Sequence, residues 1–211
     1  LKQIRKHKIL VLVGQIGTLV AVLLLWEIAA RLGWIDSFIM SSPSRIVATL
    51  CELISAGTLL HHAWVSTYET LLGFVLGTTI GYVVAVGLWW NEFLREVFEP
   101  YIVVLNSLPK IALGPIIIIW MGTGKASIVT MAVLISVVIT TISIMNGFCS
   151  TDSDKILLLR SMGANNLQIF VKLVAPANIP TLMSTLKINV GMAWIGSIMG
   201  EYVVSRQGIG Y

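Results

Sequence analysis

The chain has 211 residues, of which 14 are lysine or arginine and 10 are aspartate or glutamate, so 11% are charged, against about 25% in an ordinary soluble domain. Hydrophobic residues make up 56% before the 18 glycines are counted, which leaves too little polar side chain to coat a water-exposed surface. A water-soluble monomer, a disordered chain and a nucleic-acid-binding domain are excluded together, because a net charge of +4 on so apolar a chain builds neither a solvated coil nor a basic face; the solvent is a bilayer.

A spanning helix needs about 20 mostly apolar residues. Residues 1–8 carry Lys2, Arg5, Lys6 and Lys8 and precede an apolar run without a small-residue cleavage site. They read as a cytoplasmic tail whose start at Leu1 is trimmed, not as a signal peptide. Span 1 covers 9–30. Pro43-Ser44-Arg45 then opens residues 44–56, where Ile46, Val47, Leu50, Leu53 and Ile54 recur at spacings of three and four, the pattern of an amphipathic helix on the outer interface. Cys51 and Cys149 fall near opposite membrane faces and read as packing residues. His61 and His62 are adjacent and cannot form an i, i+4 metal pair.

Span 2 covers 66–90, with an uncharged run from Thr70 to Asn91, and Gly73, Gly77 and Gly81 recur on one face, a ladder that lets another helix approach closely. Span 3, at 101–120, is interrupted by Lys110. Its eleven Leu, Ile or Val residues supply roughly −3 to −6 kcal/mol of insertion energy against about +2.5 to +3.5 for a central Lys, so it inserts if the lysine faces a bundle interior or a wet cavity. Gly122-Thr123-Gly124-Lys125-Ala126-Ser127 fails as a phosphate-binding loop: Ile119 stands where a glycine is required and Ala126 follows the lysine. Span 4 covers 126–148, within an uncharged run to Thr151.

Residues 152–175 form the longest cytoplasmic loop. Asp152, Ser153 or Asp154 can cap a short helix, Gly163 can end it and Pro176 can open the next segment. Span 5, 177–203, carries Lys187. With the amino terminus inside, eight basic residues fall on the cytoplasmic side against Arg31, Arg45, Lys125 and Arg206 outside. Five spans leave the carboxyl end outside, and a sixth is expected to be missing through truncation. Lys110 and Lys187 lie near mid-bilayer. Either both are satisfied by carbonyls freed at Pro109 or Pro115, or at least one lines a pathway and favours an anion.

The loop Asp152 to Pro176 resembles the coupling loop of the membrane subunits of ATP-binding-cassette (ABC) importers: Gly163 and Pro176 keep that family's spacing of thirteen. Pro109-Lys110-Ile111-Ala112-Leu113-Gly114-Pro115 with Trp120-Met121-Gly122-Thr123-Gly124 is similar to the family's third span. Gly191-Met192-Ala193-Trp194, Glu201 and Gly208-Ile209-Gly210-Tyr211 are similar to its fifth span and the exit from it. These motifs are typical of the nitrate, sulfonate and taurine branch, and the match covers about 40 to 211. In one departure, Leu157, Leu158 and Leu159 replace the family's Glu-Ala-Ala, so an acidic contact does not carry over.

The resemblance implies an all-α polytopic protein with the type I ABC importer permease fold, set in the bacterial inner membrane and working as a homodimer. It implies no catalysis, metal or cofactor of the chain's own; ATP and magnesium would be used by partner ATPase subunits gripping Asp154, Leu157, Leu158, Leu159, Arg160, Gly163 and Ala164, with Pro176 behind them. A solute-binding protein would deliver a small, anionic solute to a pathway drawn from Pro109, Lys110, Pro115, Lys187, Trp194 and Glu201. Three consecutive leucines beside Arg160 suit a partner's cleft better than water. A secondary transporter or channel driven by an ion gradient would also explain buried lysines and broken helices. A membrane-embedded enzyme lacks a nucleophile and base at workable spacing.

Overall fold

The computed structural model describes residues 2–35, 40–205 and 207–211. Arg206, Leu1 and the side chains of Lys2, Arg5, Lys6 and Ile111, used in the sequence reading, lie outside the described residues. The chain divides into two compact units, Leu1–Leu60 and His61–Tyr211.

In the first unit, helix α1 (Lys2–Arg31) carries a 25-residue apolar segment, His7–Arg31, whose most apolar window is wholly exposed, so lipid or another helix must cover it. Near its end Glu27 accepts from Arg31 Nε at 2.7 Å, from the Ser44 hydroxyl at 2.8 Å and from the Ser44 N–H at 3.1 Å. That anchors the start of α2 (Pro43–Ser55), the expected amphipathic helix, where Pro43 sits in the first turn and the Ser42 hydroxyl accepts from the Arg45 N–H at 3.4 Å.

The second unit is organised around α6 (Lys125–Cys149), whose apolar window is 56% buried. On one side α3 (Leu59–Trp90) lays its glycine ladder on α6: Gly73 rests on Ala132, a Cβ at Gly77 would stand 2.5 Å from Ser136 Cβ, and one at Gly81 would stand 2.8 Å from the Val137 carbonyl. On the other side α10 (Ile179–Val204) runs antiparallel. A Cβ at Gly196 would fall 2.7 Å from Ala132 Cα and one at Gly200 3.0 Å from Ile128 Cα, while Gly147 of α6 faces Asn178 and Thr181 at the far end. Packing without a water-driven hydrophobic term rewards close backbone approach and interhelical hydrogen bonds. Asn189 of α10 supplies the latter, donating to Thr78 of α3 at 3.3 Å and to Thr140 of α6. Thr141 donates to the Gly81 carbonyl at 3.3 Å.

The stretch 101–120 is not one helix. It comprises the end of α4 (Glu92–Ser107), a 3-10 turn at Lys110–Leu113 and α5 (Gly114–Met121). Pro109 causes the break, since it cannot donate a backbone hydrogen bond and Leu108 before it takes an extended conformation, whereas Pro115 sits in the first turn of α5, where its missing N–H is tolerated. Among the described residues three helices are individually long and apolar enough to cross a bilayer, in α1, α3 and α6; the bent pair Asn166–Ala177 and Ile179–Val204, angled at 60°, has the length and composition of a fourth, as a broken span or a re-entrant loop. Cys51 and Cys149 are exposed, so the expectation that they are packing residues is corrected: they stand on α2 and at the last turn of α6.

Candidate functional site

The loop after α6 folds as two short helices. The Asp152 carboxylate accepts from the Asp154 N–H at 3.0 Å and starts α7 (Ser153–Ser161). Gly163, at φ +82, closes it in the left-handed conformation that glycine adopts most readily. Asn165 and Gln168 form a capping box at 2.8 and 2.9 Å that starts α8 (Asn166–Ile169). A π-helical turn at Phe170–Val174 and the single turn α9 (Ala175–Ala177) follow. Pro176 thus lies in α9 and does not open α10; the bend comes at Asn178, whose side chain donates to the Val174 carbonyl at 2.8 Å and to Thr151 at 3.0 Å.

Helical spacing divides α7 into two faces. Ile156 and Leu159, with Ala164 beyond the helix, pack on a buried cluster containing Leu88, Met145, Phe148, Ile169 and Val174, joined by Trp89 and Phe170. Leu157 and Leu158 are 66% and 59% exposed and Met162 is 74% exposed on the opposite face. The leucine triplet is therefore split: Leu159 belongs to the chain's own core, and Leu157 and Leu158 are unpartnered. Asp154, Arg160 and Gly163 are exposed, and Arg160 lines a cleft with Trp89, Trp90 and Arg95. Arg95 holds Glu92 at 2.9 Å and approaches Cys149 Sγ at 3.5 Å.

The residues assigned to a pathway occupy different settings. Lys110 Nζ donates to the Asn106 carbonyl at 3.0 Å and to its side-chain oxygen at 3.3 Å, using an acceptor freed where α4 breaks. Lys187 is exposed on α10, Trp194 is half-buried, and Pro109 and Pro115 are exposed at the two ends of the 3-10 turn. Glu201 is fully buried. Its Oε2 accepts from the Ser66 hydroxyl and the Gly210 N–H, both at 2.8 Å; Ser66 in turn accepts from the Ile209 N–H at 2.8 Å, and His62 Nδ1 from the Gly208 N–H at 3.0 Å. The Gly-Ile-Gly run follows from this clamp, because a Cβ at Gly208 would collide with the Glu201 carboxylate and one at Gly210 would stand 2.9 Å from Glu201 Cβ. Glu69, which the sequence reading did not single out, is buried one turn along α3 from Ser66, the donor to Glu201.

The family described as the binding-protein-dependent transport system inner membrane component matches residues 77–211. The chain belongs to that family. Among similar proteins, a "Probable ABC transporter permease protein" of Haemophilus influenzae is 31% identical, over 99% of this chain and 82% of that one. The formylaminopyrimidine transport permease ThiX of Halalkalibacterium halodurans is 30% identical over 90% and 75% of the two chains. SsuC of Bacillus subtilis, named for the transport of aliphatic sulfonates, is 26% identical over 90% and 69%. The fold matches an inward-facing structure of the methionine ABC transporter MetNI with a TM-score of 0.65 at 21% identity, over 74% of this chain and 78% of that one. The permease is thus an all-helical membrane component of a binding-protein-dependent importer, of the ABC type and of the branch that contains the sulfonate permeases. Membership in that family sets aside the ion-gradient alternative.

Proposed function

We propose that this permease forms, as a homodimer in the bacterial inner membrane with its amino terminus inside, the pathway through which a small anionic solute enters, and that it couples to cytoplasmic ATPase subunits through Asp154 to Ala164. The observation that carries this reading is the two-faced α7. One face is welded to the ends of α3 and α6 through Ile156 and Leu159, and the other offers Leu157, Leu158 and Met162 to a partner. A push on the outer face reaches the bundle through packed side chains, as a lever needs. Lys110 and Lys187 supply the positive charge for an anion, and solute choice rests mainly with the external binding protein. ATP and magnesium belong to the ATPase, and the permease needs no cofactor.

Burying a leucine at an interface is worth roughly 1.5–3 kcal/mol, so Leu158→Asp should release the ATPase from the permease in mild detergent and abolish solute-stimulated hydrolysis while the permease itself stays folded. Gly163→Pro should do the same, since proline cannot adopt the positive φ found there. Lys172→Gln serves as the control. Retention of wild-type copurification and stimulation by both variants would remove α7 as the coupling element.

A further inference from the structure

The loop that carries α7 has a narrow neck. Its first leg leaves α6 at Ser150 and Thr151, and its second enters α10 through α9 and Asn178, the one residue between two helical segments angled at 60°. Asn178 is 7% exposed. Its Nδ2 donates to the Val174 carbonyl at 2.8 Å and to the Thr151 hydroxyl at 3.0 Å, so one amide holds both legs. A carbonyl only accepts, which fixes Nδ2 on that side and turns Oδ1 the other way. There Oδ1 faces Gly147 of α6, where a Cβ would stand 2.7 Å from it. The second leg is itself a place where a helix bends: the Ala175 N–H donates to the Phe170 carbonyl in a π turn, and Pro176 has no N–H for the turn before it.

Apolar surfaces slide over one another at little cost, whereas a buried amide keeps its partners or loses them. α7 rests on the bundle through the first kind of contact, with Ile156 and Leu159 on the cluster around Phe148. A sliding surface joined at one fixed point turns about that point. We propose that Asn178 is the pivot of the coupling loop: by holding Thr151 and Val174 it keeps the ends of α6 and α10 together at the neck while α7 tilts. Asn178 is a positioning residue, acting on coupling through the two legs. The inference rests on the coupling reading of α7 and deepens it by locating where the lever turns.

The test uses the permease with its ATPase subunits in lipid nanodiscs, without nucleotide and trapped with magnesium ATP and vanadate. In a Cys51→Ser, Cys149→Ser background, spin labels at Ser153→Cys and Ile179→Cys report the neck, and labels at Ser161→Cys and Met183→Cys report the tip of α7; all four positions are exposed. Trapping should change the tip distance and leave the neck distance as it was. Thr151→Val removes one hydrogen bond at nearly constant volume and should raise the displaced population of the trapped neck about fivefold, the shift that one neutral hydrogen bond gives a two-state balance. Thr151→Ser keeps the hydroxyl and should restore it. Asn178→Ala should do more than Thr151→Val; if it does not fold, the Thr151 pair decides. A role in stability alone would broaden the neck equally with and without nucleotide, and that result overturns the pivot. So does a neck that moves with the tip before any change at 151 or 178, or one indifferent to Thr151→Val. A tip that ignores nucleotide overturns it too, and ATPase copurification, scored on the same sample, shows whether the coupling reading falls with it.

Discussion

The two ends of the α3–α6–α10 bundle are joined by different forces. At the α7 end the joint is aromatic: Trp89 and Phe170 have ring centroids 5.1 Å apart, Phe148 and Phe170 5.4 Å, and Tyr82 and Phe148 6.0 Å. At the opposite end the joint is a set of hydrogen bonds in which Ser66 and Glu201 hold each other and the backbone of residues 209 and 210. Ring contacts weaken gradually as they slide, whereas a buried carboxylate that loses a donor is left uncompensated. The same three helices can therefore yield more readily at the α7 end than at the end closed by residues 209 and 210.

Mutations that weaken one joint and spare the other should separate these behaviours. The largest effect is expected from Phe148→Ala, which empties the centre of the aromatic cluster at a residue 2% exposed. It should cost roughly 3–5 kcal/mol, measured by denaturant unfolding of the purified permease in detergent, and should detach α7 from the bundle. Ser66→Ala should cost less, roughly 1–3 kcal/mol, because it removes a donor to Glu201 and the acceptor of the Ile209 N–H at once. Thr67→Ala is the internal standard, since that exposed hydroxyl bonds only the Ala63 carbonyl of its own helix; equal costs for the two would show that the clamp adds nothing.

The smallest effect belongs to Asp152. The Asp154 N–H and then Lys155 hold its carboxyl below the usual aspartate range. A group whose pKa is lower folded than unfolded stabilises above its unfolded value and loses that contribution as pH falls through the folded value. Hydrogen exchange of the α7 amides should therefore quicken as pH drops below about 4, after correction for intrinsic rates. Asp152→Asn keeps a capping oxygen and should flatten that dependence with little change at neutral pH.

What could be read from the sequence was whatever repeats at short range. The glycines at 73, 77 and 81 announced a close helix contact by spacing alone, and α2 and α7 announced themselves by caps and periodicity. The broken 101–120 stretch was less legible, because its apolar content argued for a span while Pro109 and Pro115 argued against one, and hydropathy weighs only the first. Glu69 was missed because its setting is the contact of Ser66 with Glu201, 135 positions apart in the chain. The buried orientation of Leu159 was hidden in a run of three identical residues, where only the helix phase set by Asp152 distinguishes them.

Ala132 is touched from both sides, by Gly73 of α3 and Gly196 of α10, and is fully buried. Each neighbour is already the smallest residue available, so neither can shrink to accommodate a larger side chain at 132. In a lineage of such chains drift at this position has no single-step remedy: two helices would have to shift together. The packed centre around Ala132 should therefore change slowly over evolutionary time, for reasons of packing alone.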